Sequence, residues 1–249
     1  MRGLLDRAGL DGTAYRAEPL LRRARACLRQ IGATTIEEAS EKLNREPSRL
    51  DPAIQTLLLG VTGFFRDPPL FENLERAVAE RLPRGPLRVW SAGCSDGSEL
   101  YSTAMLLYEA GRLPGSFLLG TDCRPEAIER ARAARYLASS FRPHDTERIR
   151  RHLLPERDGF RIAAPIASSI RWKVSDVLRA APAGPWDIIL CRNLAMYLEV
   201  DAAQSLWTRL VSALRPGGLL VTGSAERPGG CRLRPLSPSI FQLEAGGDA

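Results

Sequence analysis

Four short stretches hold residues whose types and spacing suit chemistry. In LRVWSAGCSDGSEL, Gly93 and Gly97 bracket a turn of small and polar residues. Glycine adopts positive φ easily and lets a ligand approach the backbone. The spacing is G-x-x-x-G, so it is neither the G-x-G-x-x-G of dinucleotide sites nor a phosphate-binding loop ending in Lys-Ser/Thr. In SFLLGTDC, an apolar run ends at Asp122, about 25 residues beyond Gly97. A carboxylate there is placed to accept hydrogen bonds from two ribose hydroxyls, or to cap a helix opened by Pro125. In KVSDVL, Asp176 offers an oxygen to an adenine amino group and Val177 an apolar contact to the ring. In CRNLAMY, Asn193 stands where a reacting group would lie, and Glu99, just past the first turn, suits an ammonium group.

The elements around these residues alternate. LRVWSAG, SFLLGTDC, IRWKVSDVL, PWDIILCRN, GGLLVTGS and SIFQLEA read as strands. Helical patterns follow the first two, in the stretch from about Gly97 and in RPEAIERARAARY, and another, VDAAQSLWTRLVSAL, follows the fourth. Strands separated by helices predict an α/β fold with a parallel sheet covered on both faces. In such sheets ligands sit beyond the carboxyl ends of the strands, where all four stretches fall. The rhythm breaks over 137–171, where Asp158-Gly159 is a hairpin signal; this predicts a small antiparallel insertion. Residues 14–80 read as helices. Gly32 stops the first, Thr35 caps the next, Asp51 caps a third with Pro52 in its first turn, and DPPLFENLERAVAERL repeats that start. PRGP, at 83–86, reads as a linker between an N-terminal helical domain (1–82) and the sheet domain (87–249).

Composition narrows the classes. The chain has 249 residues, 44% of them hydrophobic, enough for a sizeable core. It has no apolar run of membrane-spanning length, and its first residues break their apolar positions with charges, unlike a signal peptide. Cys27, Cys94, Cys123, Cys191 and Cys231 form no C-x-x-C pair, and His144 and His152 are the only histidines. Reduced thiols, no metal site and a cytoplasmic location are expected. The net charge of +6 suits an acidic partner.

Polar groups at four successive strand ends are the layout of an S-adenosylmethionine (SAM) site. The order of motifs resembles the CheR-type chemotaxis receptor methyltransferases. VTGFFRDPPLF resembles that family's V-T-x-F-F-R-x-x-x-x-F, VWSAGCSDGSELYSTAML its W-S-A-G-C-S-T-G-E-E-P-Y-S-x-A, and GTDC its A-T-D-I. WDIILCRNLAMYLE resembles F-D-x-I-x-C-R-N-V-x-I-Y-F, and LRPGGLLVTGSAE resembles L-x-P-G-G-x-L-x-x-G-x-S-E. The resemblance implies a Rossmann-like class I methyltransferase sheet with a small N-terminal helical domain and a small inserted β-subdomain. It implies esterification of receptor glutamates by SAM, leaving S-adenosylhomocysteine (SAH).

By position, the implied cofactor residues are Thr62, Arg66, Gly93, Glu99, Asp122, Asp176, Val177, Asn193 and Leu194, with Arg66 and Tyr197 at the transferring methyl. Arg66 is expected from the helical domain and Tyr197 from the end of the fourth strand. The implied partner is an acidic helical region of a chemoreceptor or related signalling protein, facing the basic helix of Arg22, Arg23, Arg25 and Arg29. No nucleic acid and no membrane insertion are expected. The chain departs from the pattern at Gly60, where the family often has Asn, at Ser98 and Leu100 around Glu99, at Asp176, which replaces Asn, and at Ala225, inserted before Glu226. These departures keep a non-catalytic SAM-binding regulator or adaptor open as an alternative. A nucleic-acid methyltransferase is a further one, without the N/D-P-P-Y motif expected at the fourth strand.

Overall fold

A computed structural model describes residues 1–58, 62–141, 146–230 and 232–244. The chain forms two compact units: residues 1–61 with 194–205, and 62–193 with 206–249.

The smaller unit is built from α1 (Arg2–Arg7), α2 (Ala17–Ile31), α3 (Ile36–Arg45) and α4 (Leu50–Leu57). Helix α2 buries Leu20, Cys27 and Ile31 and ends at Gly32, whose φ of 80° is left-handed. Leu21, apolar like its neighbour Leu20, is instead 63% exposed. Thr35 caps α3, its hydroxyl accepting from the Glu38 backbone N–H at 3.1 Å. Asp51 caps nothing: α4 opens one residue before it, and Asp51 lies in the first turn. Residues 194–205 join this unit through the backbone, with a bridge between Tyr15 and Leu198 and a bond from the Arg16 N–H to the Tyr197 carbonyl at 2.9 Å.

The larger unit carries α5 (Pro68–Arg81), β1 (Arg88–Ala92), α6 (Ser98–Glu109), β2 (Phe117–Asp122), α7 (Pro125–Ala133), β3 (Arg135–Leu137) and α8 (Thr146–Arg150). There follow β4 (Leu153–Glu156), β5 (Gly159–Ile162), α9 (Ala164–Ala167), β6 (Ile170–Val174), β7 (Trp186–Cys191), α10 (Val200–Ala213, whose first turns count with the smaller unit), β8 (Leu214–Thr222), β9 (Leu233–Ser237) and β10 (Ile240–Leu243). Its main sheet has the order β6-β2-β1-β7-β8-β10-β9. The first five of these are parallel, and β10 runs antiparallel to both β8 and β9. β7 is buried along its whole length, as a central parallel strand must be. After β1 the chain moves to β2 and β6 on one side, then returns to β7 on the other. That reversal opens a crevice at the carboxyl ends of β1 and β7.

A second, three-stranded antiparallel sheet, β3-β5-β4, spans residues 135–162, with Asp158-Gly159 at its hairpin. A Cβ on Gly159 would lie 2.1 Å from the Tyr136 carbonyl oxygen, so only glycine fits there.

The segment 62–82 packs with the sheet rather than the N-terminal helices. Phe64, Phe65, Leu70, Phe71, Leu74 and Val78 share a buried core with Val89, Leu100, Met105 and Ile188. Helix α5 opens with Pro68 in its first turn after Asp67, but the Asp67 side chain does not cap it.

Candidate active site

The strand ends are built on strained turns. Among the described residues, the non-glycine positions with positive φ are Phe65 (41°), Asp67 (78°), Ser95 (52°), Asn193 (56°) and Ala134 (54°). The first four lie in the segments that carry the expected site, and Ala134 ends α7. Left-handed non-glycine residues cost free energy and persist where surrounding contacts impose them. Gly93 (68°) and Gly97 (84°) supply two further left-handed positions in the β1–α6 turn.

Asp122 ends β2 and is 3% exposed, with Arg124 at 5%. Its Oδ1 accepts from the Arg124 backbone N–H at 3.0 Å and from Arg124 Nε at 2.9 Å. Its Oδ2 accepts from Arg124 Nη2 at 3.0 Å and from the Ser95 backbone N–H at 2.9 Å. The carboxylate thus ties the glycine turn of β1 to the turn after β2. Burial opposes the Arg124 charge, but the hydrogen bonds and charge of Asp122 outweigh it and raise the guanidinium pKa. Asp122 does not cap α7; the cap position is Arg124 itself, and Pro125 is the first helical residue.

Glu99, in the first turn of α6, accepts from Arg192 Nη1 at 2.6 Å. Arg192 follows β7, and its side chain is 5% exposed. It also donates to the Arg66 carbonyl at 3.3 Å and reaches Asp67 at 3.4 Å. One buried guanidinium therefore links the VTGFFRD segment, the start of α6 and the end of β7. Arg66 itself is half-buried. The Phe65 N–H donates to Ser102 Oγ on α6 at 2.9 Å, and the Arg148 guanidinium lies 5.1 Å above the Phe65 ring. Arg148, on α8, pairs with Glu75 at 3.1 Å and Glu109 at 2.5 Å, and Glu109 also meets His152 Nε2 at 2.9 Å. Burial raises the Glu109 pKa, but the bonds from His152 and Arg148 outweigh it and leave the carboxyl below its ordinary value.

Asn193 is held by Glu226, which is 3% exposed. Glu226 Oε2 accepts from the backbone N–H of both Asn193 and Gly223 at 2.8 Å. Despite the inserted Ala225, the carboxylate reaches the end of β7. After β6, Asp176 Oδ1 accepts from the Leu178 N–H at 2.9 Å and Oδ2 lies 3.8 Å from Arg179, while buried Val177 gives its carbonyl to Arg209 at 3.1 Å. Thr62 is half-buried at the start of this unit.

Gly93, Glu99, Asp122, Asp176, Val177 and Asn193 thus gather at the carboxyl ends of β1, β2, β6 and β7, with Arg66 joined to Glu99 through Arg192. Leu194 and Tyr197 belong to the helical unit. There the Tyr197 ring lies 5.9 Å from the Arg23 guanidinium. The expected origins of Arg66 and Tyr197 are reversed between the two units. Core packing draws 62–82 to the sheet, and backbone pairing draws 194–205 to the helices. Gly60 lies outside the described residues.

Residue typing missed Arg124, Arg192 and Glu226 as site residues, although the last two sit inside quoted motifs. The buried thiols offer no nucleophile at neutral pH. Burial pushes Cys94 and Cys191 well above the ordinary thiol range and Cys123 up to about 12. No cluster of His, Cys, Asp and Glu able to hold a metal occurs among the described residues.

Residues 60–230 match the family described as CheR methyltransferase, SAM binding domain. The chain belongs to this family. It is 29% identical over 222 residues to a chemotaxis protein methyltransferase of Listeria innocua, covering 88% of this chain and 85% of that protein. It is 28% identical to the chemotaxis protein methyltransferase of Escherichia coli, covering 90% and 81%. It is 32% identical to the probable biofilm formation methyltransferase WspC of Pseudomonas putida, covering 90% of this chain and 55% of WspC. The fold is a Rossmann-like class I methyltransferase and the cofactor is SAM. The acceptors at the strand ends suit it: a two-oxygen acid for vicinal hydroxyls, a carboxylate for an ammonium group, and a polar and apolar pair for a purine.

Proposed function

We propose that this SAM-dependent methyltransferase esterifies glutamate side chains of a chemotaxis-type receptor, releasing SAH. SAM supplies a methyl group on a positively charged sulfur. A glutamate carboxylate is ionised near neutral pH, so it needs alignment and exclusion of water rather than a general base. Arg66 holds and orients the incoming carboxylate through its planar donor fork. Tyr197 donates one hydrogen bond to it without adding charge. Thr62, Arg66, Gly93, Glu99, Asp122, Asp176, Val177, Asn193 and Leu194 form the cofactor's surroundings. The high pKa of the buried thiols removes a competing nucleophile.

The observation that carries the proposal is the Arg192 clasp. It fixes the backbone at Arg66 to Glu99 in the first turn of α6, so the segment that carries Arg66 is held beside the network at the strand ends.

The division of labour is part of the proposal. The N-terminal helical domain docks the substrate, with Arg22, Arg25 and Arg29 on the exposed side of α2 facing an acidic receptor helix. The inserted sheet is a second docking surface. Steering by these charges weakens with salt. No nucleic acid takes part. No helix among the described residues is long and apolar enough to cross a membrane. The proposed place of work is the cytoplasm.

The test is methyl transfer from labelled SAM to purified receptor signalling domains. Label released as methanol by mild base is the expected result. Base-stable label, or label on nucleic acid, contradicts the reading. SAM binding with no transfer to any receptor domain would favour the regulator instead.

A further inference from the structure

The Asp122 carboxylate already has four N–H donors, two on each oxygen, in a setting only 3% exposed. A carboxylate has about four acceptor positions. Two ribose hydroxyls cannot both be accepted until donors leave. The donors from Ser95 and from the Arg124 backbone are built into the turns after β1 and β2, and removing them means rebuilding those turns. The two Arg124 side-chain donors leave by rotation of a long, flexible chain.

Resting on the reading of Asp122 as the ribose acceptor, we propose that Arg124 is a displaceable stand-in for the ribose. Its guanidinium neutralises the buried carboxylate when no cofactor is bound, and the two hydroxyls replace Nε and Nη2 when SAM or SAH enters. A buried carboxylate without a partner is strongly unfavourable, so the protein without cofactor needs such a counter-ion. The cost appears as weaker cofactor binding, because only the fraction of molecules with Arg124 released is ready to bind. Weaker binding applies to SAH as well as SAM and favours product release, often the slow step. Arg124 is thus a residue that sets cofactor affinity without lying on the path of methyl transfer.

The experiment is calorimetric titration of SAH, adenosine and 2′,3′-dideoxyadenosine into the wild-type chain and Arg124→Ala, with melting curves of the ligand-free proteins. Arg124→Ala should melt lower without ligand yet bind SAH and adenosine more tightly, on the order of tenfold. Dideoxyadenosine, which lacks the competing hydroxyls, should show no such gain. If Arg124→Ala does not fold, Arg124→Gln keeps a shorter neutral donor and should show the same pattern at smaller size. Unchanged or weaker SAH binding in a folded variant overturns the proposal, as does an equal gain for dideoxyadenosine. A wild-type chain that fails to bind SAH overturns the cofactor reading beneath it, a result distinct from either of these.

Discussion

Two acids at the strand ends are each held by a buried arginine, and the two pairs are built differently. Asp122 and Arg124 are two residues apart on one turn, and the guanidinium covers both carboxylate oxygens. Glu99 and Arg192 are 93 residues apart. Arg192 touches one Glu99 oxygen and spends its other contacts on the Arg66 carbonyl and Asp67. The bonds between Arg124 and Asp122 stay within one turn, and the backbone bonds of Asp122 already link that turn to the turn after β1. The distant pair ties three segments far apart in sequence, adding charged bonds to the core packing and the Phe65–Ser102 bond that also join them. A short-range arginine on a saturated acid can be exchanged for a ligand; a long-range one that fixes a loop cannot. That contrast orders the expected effects.

The largest effect should come from Arg192→Ala. It strands Glu99 and removes one of the ties on the Arg66 segment, so folding stability should fall by about 3–5 kcal/mol, the usual result of breaking a buried pair. Arg192→Lys should recover little, since a compact ammonium cannot span acceptors spread around a planar guanidinium fork. Denaturant melts check this; an unchanged midpoint would reduce Arg192 to a bystander. Arg124→Ala should cost less without ligand, about 1.5–3 kcal/mol, because Asp122 keeps two backbone donors. Saturating SAH should restore much of that loss and none of the Arg192→Ala loss, beyond the ordinary stabilisation by a ligand. Equal recovery in both variants would erase the contrast.

Asp122→Ala should lose the ribose bonds, about 1.5–3 kcal/mol for each hydrogen bond to a charged acceptor, read as weaker SAH binding in calorimetry. Tyr197→Phe should lower turnover by the worth of one hydrogen bond, about 1 kcal/mol, and leave SAH affinity and folding near wild type. Full turnover in that variant rejects the orienting role. The smallest effect concerns pH. The Glu109 carboxyl is lowered in the folded chain by His152 and Arg148, so its contribution is present above the ordinary value of 4.5. It is lost as pH falls from there through the lowered pKa. Glu109→Gln should therefore lower the melting temperature slightly at neutral pH, flatten its decline in that acid range, and differ little from wild type below it.

What the sequence discloses follows from what periodicity can carry. The strands of the parallel sheet are legible because buried parallel strands are near-continuous apolar runs, as β7 is. Acids ending such runs, Asp122 and Asp176, can be placed before any coordinates exist. Strand β9 is not legible: LRPLS holds an arginine and a proline and lies at the sheet edge, where neither is excluded. Leu21 is apolar and helical yet faces outward, because an apolar side chain does not by itself say which face of a helix finds a partner. The arginines are the larger omission. A guanidinium's partner is chosen by three-dimensional proximity, and nothing local in CRN or DCR says that Arg192 reaches back to Glu99 or that Arg124 folds over Asp122. The unit that each segment joins is hidden for the same reason, since 62–82 and 194–205 are claimed by contacts far away in sequence.

A crystal structure of the chain with SAH tests the contrast between the two pairs most directly. The ribose hydroxyls should lie on both Asp122 oxygens, with the Arg124 guanidinium withdrawn and Arg192 still on Glu99 and the Arg66 carbonyl. SAH bound with Arg124 still covering both Asp122 oxygens, or with its ribose held elsewhere, would contradict the account.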